Sequence, residues 1–80
     1  MEKRSIGFAK RFEELRRQHG WNKAQVAEKL DCPKSLITHY EKGEKLPGYI
    51  MLGKMRELFE EDVDYIMGYS NVRRAKKIAQ

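Results

Sequence analysis

The sequence contains one cysteine, two histidines and two prolines, and these small numbers exclude whole classes of protein. A single cysteine, Cys32, rules out an internal disulfide and any cysteine-based zinc site within one chain. His19 and His39 do not lie at a spacing typical of metal ligands. We therefore expect a domain that is stabilised by its own core and holds no metal and no cofactor.

Long apolar runs, glycine-rich phosphate loops, nucleophile elbows and internal repeats are also missing from the sequence. Because no run could span a bilayer and no signal peptide opens the chain, we expect a cytoplasmic protein with no membrane association. No motif predicts a small-molecule substrate, and 80 residues would be short for an enzyme. We expect no enzymatic activity.

The composition is that of one small globular domain with an uneven charge distribution. Hydrophobic residues make up 40% of the chain, which is enough for a single core. The net charge is +5, but residues 48–68 are net acidic, while residues 69–80 carry four basic and no acidic side chains. Positive charge on one side of a protein favours a polyanion, most simply nucleic acid, with the acidic stretch facing away from it.

Apolar periodicity and turn signals predict five short helices and no strand. The first has Phe8, Phe12 and Leu15 on one stripe and ends at Gly20. The predicted bounds are Ser5–His19, Lys23–Leu30, Pro33 or Lys34 to Lys42, Tyr49–Phe59 and Val63–Met67. This compact all-α bundle occupies residues 1–68, and a basic C-terminal tail, a short helix or a frayed segment, follows over 69–80.

The second and third helices form a helix-turn-helix by their spacing. Asn22 and Gln25 predict a capping box at the start of the second helix. Pro33 suits the first turn of the third helix, in which Ile37 and Tyr40 point inward. A major groove is about 12 Å wide and accepts one helix that is supported from behind. The residues predicted on the outer side of that helix are Lys34, Ser35, Thr38 and His39.

Four segments of the chain resemble the Xre/Cro repressor-like helix-turn-helix family over roughly residues 6–68. They are Arg11–Arg16, Gly20–Leu30, Ser35–Gly43 with Pro47 beyond, and Val63–Gly68. The resemblance implies a five-helix bundle that binds double-stranded operator DNA, usually as a homodimer on a palindromic site, to regulate and most simply to repress transcription. Control by an additional regulatory protein is compatible with this family.

The resemblance also implies roles for individual residues. Base reading falls on Lys34, Ser35, Thr38 and His39, and phosphate contacts fall on Asn22, Lys23, Lys42 and Lys45. Arg16 and Glu41 are expected to form a structural ion pair between the first helix and the end of the third. The chain departs from the family at Asp31 and Glu60, where glycine is common, and we expect the corner at Glu60 to be looser.

Two questions are left open by the sequence. Exposed apolar residues near the fifth helix predict a dimer interface of Ile66, Met67 and Tyr69, joined by Tyr49 and Ile50. The alternative function is that of an antitoxin or regulatory adaptor that binds a protein partner through its C-terminal region. An RNA-binding function lacks support, because no RNA-module motif is present.

Overall fold

Five α-helices account for most of the described chain, which comprises residues 3–73, with side chains from residue 7 onward, of a computed structural model. They are α1 (Lys3–Gln18), α2 (Lys23–Leu30), α3 (Lys34–Glu41), α4 (Tyr49–Phe59) and α5 (Val63–Ile66). Between residues 3 and 73 there is no strand. The all-α fold class predicted from the sequence is confirmed.

The boundaries of α2 and α3 follow from local chemistry. Asn22 Oδ1 accepts a hydrogen bond from the Gln25 backbone N–H at 2.8 Å, and the Asn22 N–H donates to Gln25 Oε1, also at 2.8 Å. This reciprocal pair is the predicted capping box. Asp31 ends α2 in the left-handed region with φ 59°. Pro33 provides no side-chain cap for α3, but its carbonyl accepts from the Leu36 N–H at 3.0 Å.

Aromatic rings at the centre of the core connect α1 to α3 and α4. The Phe12 ring lies 5.4 Å from Phe8, 5.7 Å from Tyr40 and 5.8 Å from Phe59, measured between centroids. The contacts with Tyr40 and Phe59 are edge-to-face, the geometry that the aromatic quadrupole favours. These packed rings fix α3 on α1, which decides which side of α3 faces outward.

Residues at the end of α5 belong to this core, which corrects one sequence-based expectation. Ile66 is fully buried and Met67 is 6% exposed, so neither is available for the predicted dimer interface. The reason is packing: Ile66 in α5 and Met67 directly after it belong to the same core cluster as the α1 residues Phe8 and Phe12. Gly7 and Gly68 allow the close approach of α1 and α5, since a Cβ built on Gly68 would lie 2.8 Å from the Gly7 carbonyl oxygen.

The segment after α5 is tied to the bundle by two arginines. Arg11 of α1 donates to the Tyr65 carbonyl, to the Ser70 carbonyl at 3.0 Å and to Asn71 Oδ1 at 2.7 Å. At the corner between α4 and α5, the buried Glu61 accepts from Arg73 Nε at 2.7 Å. The first residues of the predicted tail therefore pack against the body of the domain.

Two further observations bear on the sequence-based expectations. Arg74, Lys76 and Lys77, the other basic residues predicted in the tail, lie outside the described residues. Within residues 3–73, no helix has both the length and the apolar character that crossing a membrane requires.

Candidate nucleic-acid interface

The helix α3 is held from behind by its own apolar residues. Ile37 is fully buried, and Tyr40, 3% exposed, sets its ring edge-on to Phe8 at 5.5 Å. The turn before it is closed by the Cys32 N–H, which donates to the Ala27 carbonyl at 2.9 Å. With its inner side packed in this way, α3 presents the opposite side outward.

The four residues predicted to contact bases lie together on the outward side of α3. Lys34 and Ser35 are exposed, Thr38 is half-buried and His39 is exposed. Thr38 follows Lys34 by four residues, and His39 follows Ser35 by four. Residues at this spacing lie on the same face of a helix. They offer an ammonium group, two hydroxyls and an imidazole, which together can donate to and accept from base edges.

The start of α2 comes close to this face. Lys23 Nζ lies 3.5 Å from Thr38 Oγ1, so the first residue of α2 places a positive charge beside the outward side of α3. Asn22, a predicted phosphate ligand, is exposed beside Lys23, and its side-chain oxygen also caps α2 by accepting from the Gln25 N–H. Helix N-termini of this kind bind phosphate oxygens.

Beyond α3, a loop continues the basic surface. Lys42 and Lys45, both predicted phosphate ligands, are exposed in it. Glu44, which lies between them, was missed by the sequence analysis. Its side-chain Oε1 lies 2.6 Å from His39 Nδ1, and its backbone N–H donates to the His39 carbonyl at 3.0 Å. The hydrogen bond with His39 lowers the pKa of Glu44, so the carboxylate stays ionised at neutral pH.

The sequence signal for Glu44 is weak. The only hint is Gly43, whose φ of 78° turns the chain sharply at the end of α3. That turn brings the next residue back over the last helical turn, where His39 stands. In the sequence alone, Glu44 is one more acidic residue in a polar loop.

Arg16 and Glu41 lie where the resemblance implies. Arg16 Nε donates to Glu41 Oε2 at 2.6 Å and Arg16 Nη2 donates to Glu41 Oε1 at 3.0 Å. Arg16 Nη1 also donates to the Trp21 carbonyl at 3.0 Å. The hydrogen bonds with Glu41 raise the pKa of Arg16. One guanidinium thus joins α1, the turn before α2 and the end of α3.

A second exposed surface lies at the start of α4 and is apolar. Tyr49 is 91% exposed and Ile50 is 73% exposed. They line a groove with four further residues, and we call this set the α4 patch: Tyr49, Ile50, Leu52, Gly53, Arg56 and Val63. Tyr69, the third residue of the predicted dimer interface, is also exposed.

No group of three or more potential metal ligands occurs among residues 3–73. Cys32 is half-buried, and burial raises the pKa of its thiol. A raised pKa leaves little thiolate at neutral pH, which makes the group a poor nucleophile and a poor metal ligand.

Known proteins are similar to this chain in sequence. A sequence profile described as "Helix-turn-helix" matches residues 12–66. The chain is 28% identical over 69 residues to the HTH-type transcriptional regulator ImmR of Bacillus subtilis (strain 168), covering 86% of this chain and 54% of that protein. It is 33% identical over 64 residues to YobD of the same organism, named as an uncharacterized HTH-type transcriptional regulator, covering 80% of this chain and 57% of YobD.

The chain thus spans little more than half the length of the curated relatives that it matches. No solved structure gives a significant match.

Proposed function

Because the chain belongs to the Xre/Cro-like helix-turn-helix family, we propose that it is a DNA-binding transcriptional regulator that inserts α3 into the major groove. The observation that carries the proposal is the division of α3 into two sides. Ile37 and Tyr40 are buried, while Lys34, Ser35 and His39 are exposed. A helix with this division is both supported and free to enter a groove. The mechanism is binding alone and includes no chemical step.

Base recognition falls to the outward side of α3. The Lys34 ammonium donates to guanine O6 and N7, and the Ser35 and Thr38 hydroxyls donate or accept as the base edge requires. His39 adds an imidazole one turn further along the helix. Affinity common to all sequences comes from Lys23, Lys42 and Lys45, whose charges displace counterions from the phosphates.

The second part of the proposal is a homodimer with two-fold symmetry. Two copies would place their α3 helices about 34 Å apart, one turn of B-DNA, on a palindromic operator. The α4 patch supports this role, because Tyr49 and Ile50 are large apolar side chains that remain exposed after the core has formed. It replaces the buried Ile66 and Met67 as the dimer interface, and the exposed Tyr69 joins it.

The direct test is selection of bound duplexes from a random pool, followed by affinity measurement over a series of salt concentrations. We expect one preferred sequence with two-fold symmetry and an affinity well above that for unrelated duplexes. A chain that binds every duplex equally, or none, would contradict the proposal. Repression or activation is then assigned by a reporter placed behind the selected site.

The dimer is tested separately by the mass of the complex on one operator. The double variant Tyr49→Ala/Ile50→Ala is expected to bind one half-site as a monomer and to lose affinity for the full operator. Val72→Ala, which removes another exposed apolar side chain, serves as the matched control. If the double variant still forms a complex with the mass of a dimer on the operator, the interface lies elsewhere on the protein.

A further inference from the structure

The contact between His39 and Glu44 is unusual because it places a carboxylate on a surface that otherwise suits a polyanion. Glu44 Oε1 lies 2.6 Å from His39 Nδ1, and both side chains are about half exposed, at 47% and 50%. The Glu44 N–H also donates to the His39 carbonyl at 3.0 Å. Glu44 is thus held against α3 by one side-chain contact and one backbone contact, both with His39.

An ionised carboxylate only accepts hydrogen bonds. The nitrogen that faces Glu44 must therefore carry the proton in both charge states of the imidazole. In the neutral ring, Nδ1 donates to Glu44 and the outer nitrogen, Nε2, is an acceptor. In the charged ring, Nε2 carries a proton as well and is a donor. Only Nε2 changes its hydrogen-bonding character with pH.

The major groove distinguishes these two states. Cytosine presents only a donor there, its N4 amino group, whereas guanine presents only acceptors, O6 and N7. A neutral ring with an Nε2 acceptor matches cytosine, and a charged ring with an Nε2 donor matches guanine. Exchanging the two bases of one G·C pair moves the donor and the acceptors to opposite sides of the groove. The neutral ring therefore favours the orientation that places cytosine beside His39, and the charged ring favours the reverse orientation.

We propose that Glu44 is a positioning residue that fixes the tautomer of His39, so that the preference for guanine or cytosine at one operator position reverses with pH. This inference rests on the proposed function, because it requires α3 to lie in the major groove. It adds to that function a specificity-determining residue outside α3.

Charged groups on the neighbouring elements have partners of their own or favour the ionised form of Glu44. From α1, Arg16 is neutralised by its pairing with Glu41. From α2, Lys23 reaches the neighbouring Thr38. In the loop, Lys42 helps to lower the pKa of Glu44 and so keeps it an acceptor. The remaining basic groups on this surface are Lys34 and Lys45.

The tautomer is tested first, on the free protein, by the ¹⁵N shifts of the His39 ring. When the His39 ring is neutral, the wild type is expected to show a protonated Nδ1 and an unprotonated Nε2. In Glu44→Gln, whose amide accepts or donates equally well, the two tautomers are expected to mix. A wild-type ring with its proton on Nε2 would overturn the proposal without any reference to DNA.

The base preference is tested with the selected operator and a duplex in which the G·C pair under His39 is reversed. Affinities are compared at about pH 5.5 and about pH 8, at constant ionic strength. We expect the wild type to prefer guanine at the lower pH and cytosine at the higher, each by about fivefold, as for one base contact.

Variants separate the alternatives. Glu44→Gln is expected to keep the guanine preference at low pH and to lose the cytosine preference at high pH. His39→Gln, which does not titrate, is expected to show one preference at both values. If wild-type affinity instead rises equally for both duplexes as the pH falls, His39 contacts a phosphate and the proposal is overturned while the proposed function stands. If the two duplexes are bound equally at both pH values, His39 does not read this base pair and the proposal is overturned, whereas equal binding of the selected operator and unrelated duplexes would overturn the proposed function.

Discussion

The Arg16 guanidinium of α1 and the Glu41 carboxylate at the end of α3 are joined by two hydrogen bonds, at 2.6 and 3.0 Å. Their side chains are only 11% and 7% exposed. A pair so shielded from water holds the end of the recognition helix at a fixed position on α1. The pair mainly orients α3 and adds little net stability, because the desolvation of two charges offsets much of their attraction.

A double-mutant cycle measures this coupling. Glu41→Ala alone is expected to lower the free energy of unfolding by about 3 kcal/mol, because it leaves the largely buried Arg16 without its carboxylate partner. Arg16→Met/Glu41→Leu is expected to lose far less than the sum of the single variants. Urea denaturation of the four proteins provides the values. Additive losses would show that the two side chains do not depend on each other.

The close approach of α1 and α5 depends on Gly68. A Cβ at this position would lie 2.8 Å from the Gly7 carbonyl oxygen, and φ is +80°. Gly68→Ala is therefore expected to destabilise the fold by about 2–3 kcal/mol, by strain and by overpacking. Gly20→Ala is the control, since φ is +75° there but nothing lies within 4 Å. Its cost is expected to be near 1 kcal/mol. Equal losses in thermal denaturation would contradict the packing argument.

The left-handed residue Glu60 is a site where the fold can be stabilised. It has φ 57°, and a glutamate in that region costs about 1 kcal/mol relative to glycine. Glu60→Gly is expected to raise the free energy of unfolding by about 0.5 kcal/mol after the entropic cost of glycine. Asp31→Gly, at φ 59°, is expected to gain less, because aspartate tolerates this conformation better. A loss of stability in Glu60→Gly would point to an unrecognised role of its side chain.

The contact between Arg73 and Glu61 attaches the chain after α5. Glu61 is 3% exposed, so removing its partner leaves a buried carboxylate. Arg73→Ala is expected to cost about 2 kcal/mol. Arg17→Ala breaks an exposed pair with Glu13 of the same length, 2.6 Å, and is expected to cost about 0.3 kcal/mol. Chemical denaturation gives the free energy of unfolding of both variants. Similar small losses would mean that residues 69–73 contribute little to the stability of the fold.

The parts of the fold that the sequence predicted are those with local causes. The capping box fixed the start of α2 at Lys23, and apolar spacing identified Ile37 and Tyr40 as the inner side of α3. Both signals operate within one or two helical turns. The residues on the outward side of α3 followed from the same spacing.

The parts that were missed involve partners that are distant along the chain or beyond a sharp turn. Periodicity predicts a face within a helix but does not reveal what covers it, which is why Ile66 and Met67 were misassigned. Arg11 lies 59 residues from Ser70, and no local pattern connects them. Glu44 depends on the turn at Gly43, whose consequence for His39 is visible only in three dimensions.

The central claim, that the outward side of α3 reads bases, is tested most directly by comparing three lysine-to-alanine variants on the selected operator and its single-base variants. Lys34→Ala is expected to lose about 1–3 kcal/mol and to relax the preference at one position. Lys23→Ala is expected to weaken binding to every sequence alike and to reduce the salt slope by about one unit.

Lys10→Ala makes the same change of charge on the α1 surface near Gly68 and serves as the control. If Lys34→Ala weakens all duplexes equally and leaves the preferred sequence unchanged, α3 does not read bases. If it alone alters the preference at a single position, the account of this surface holds.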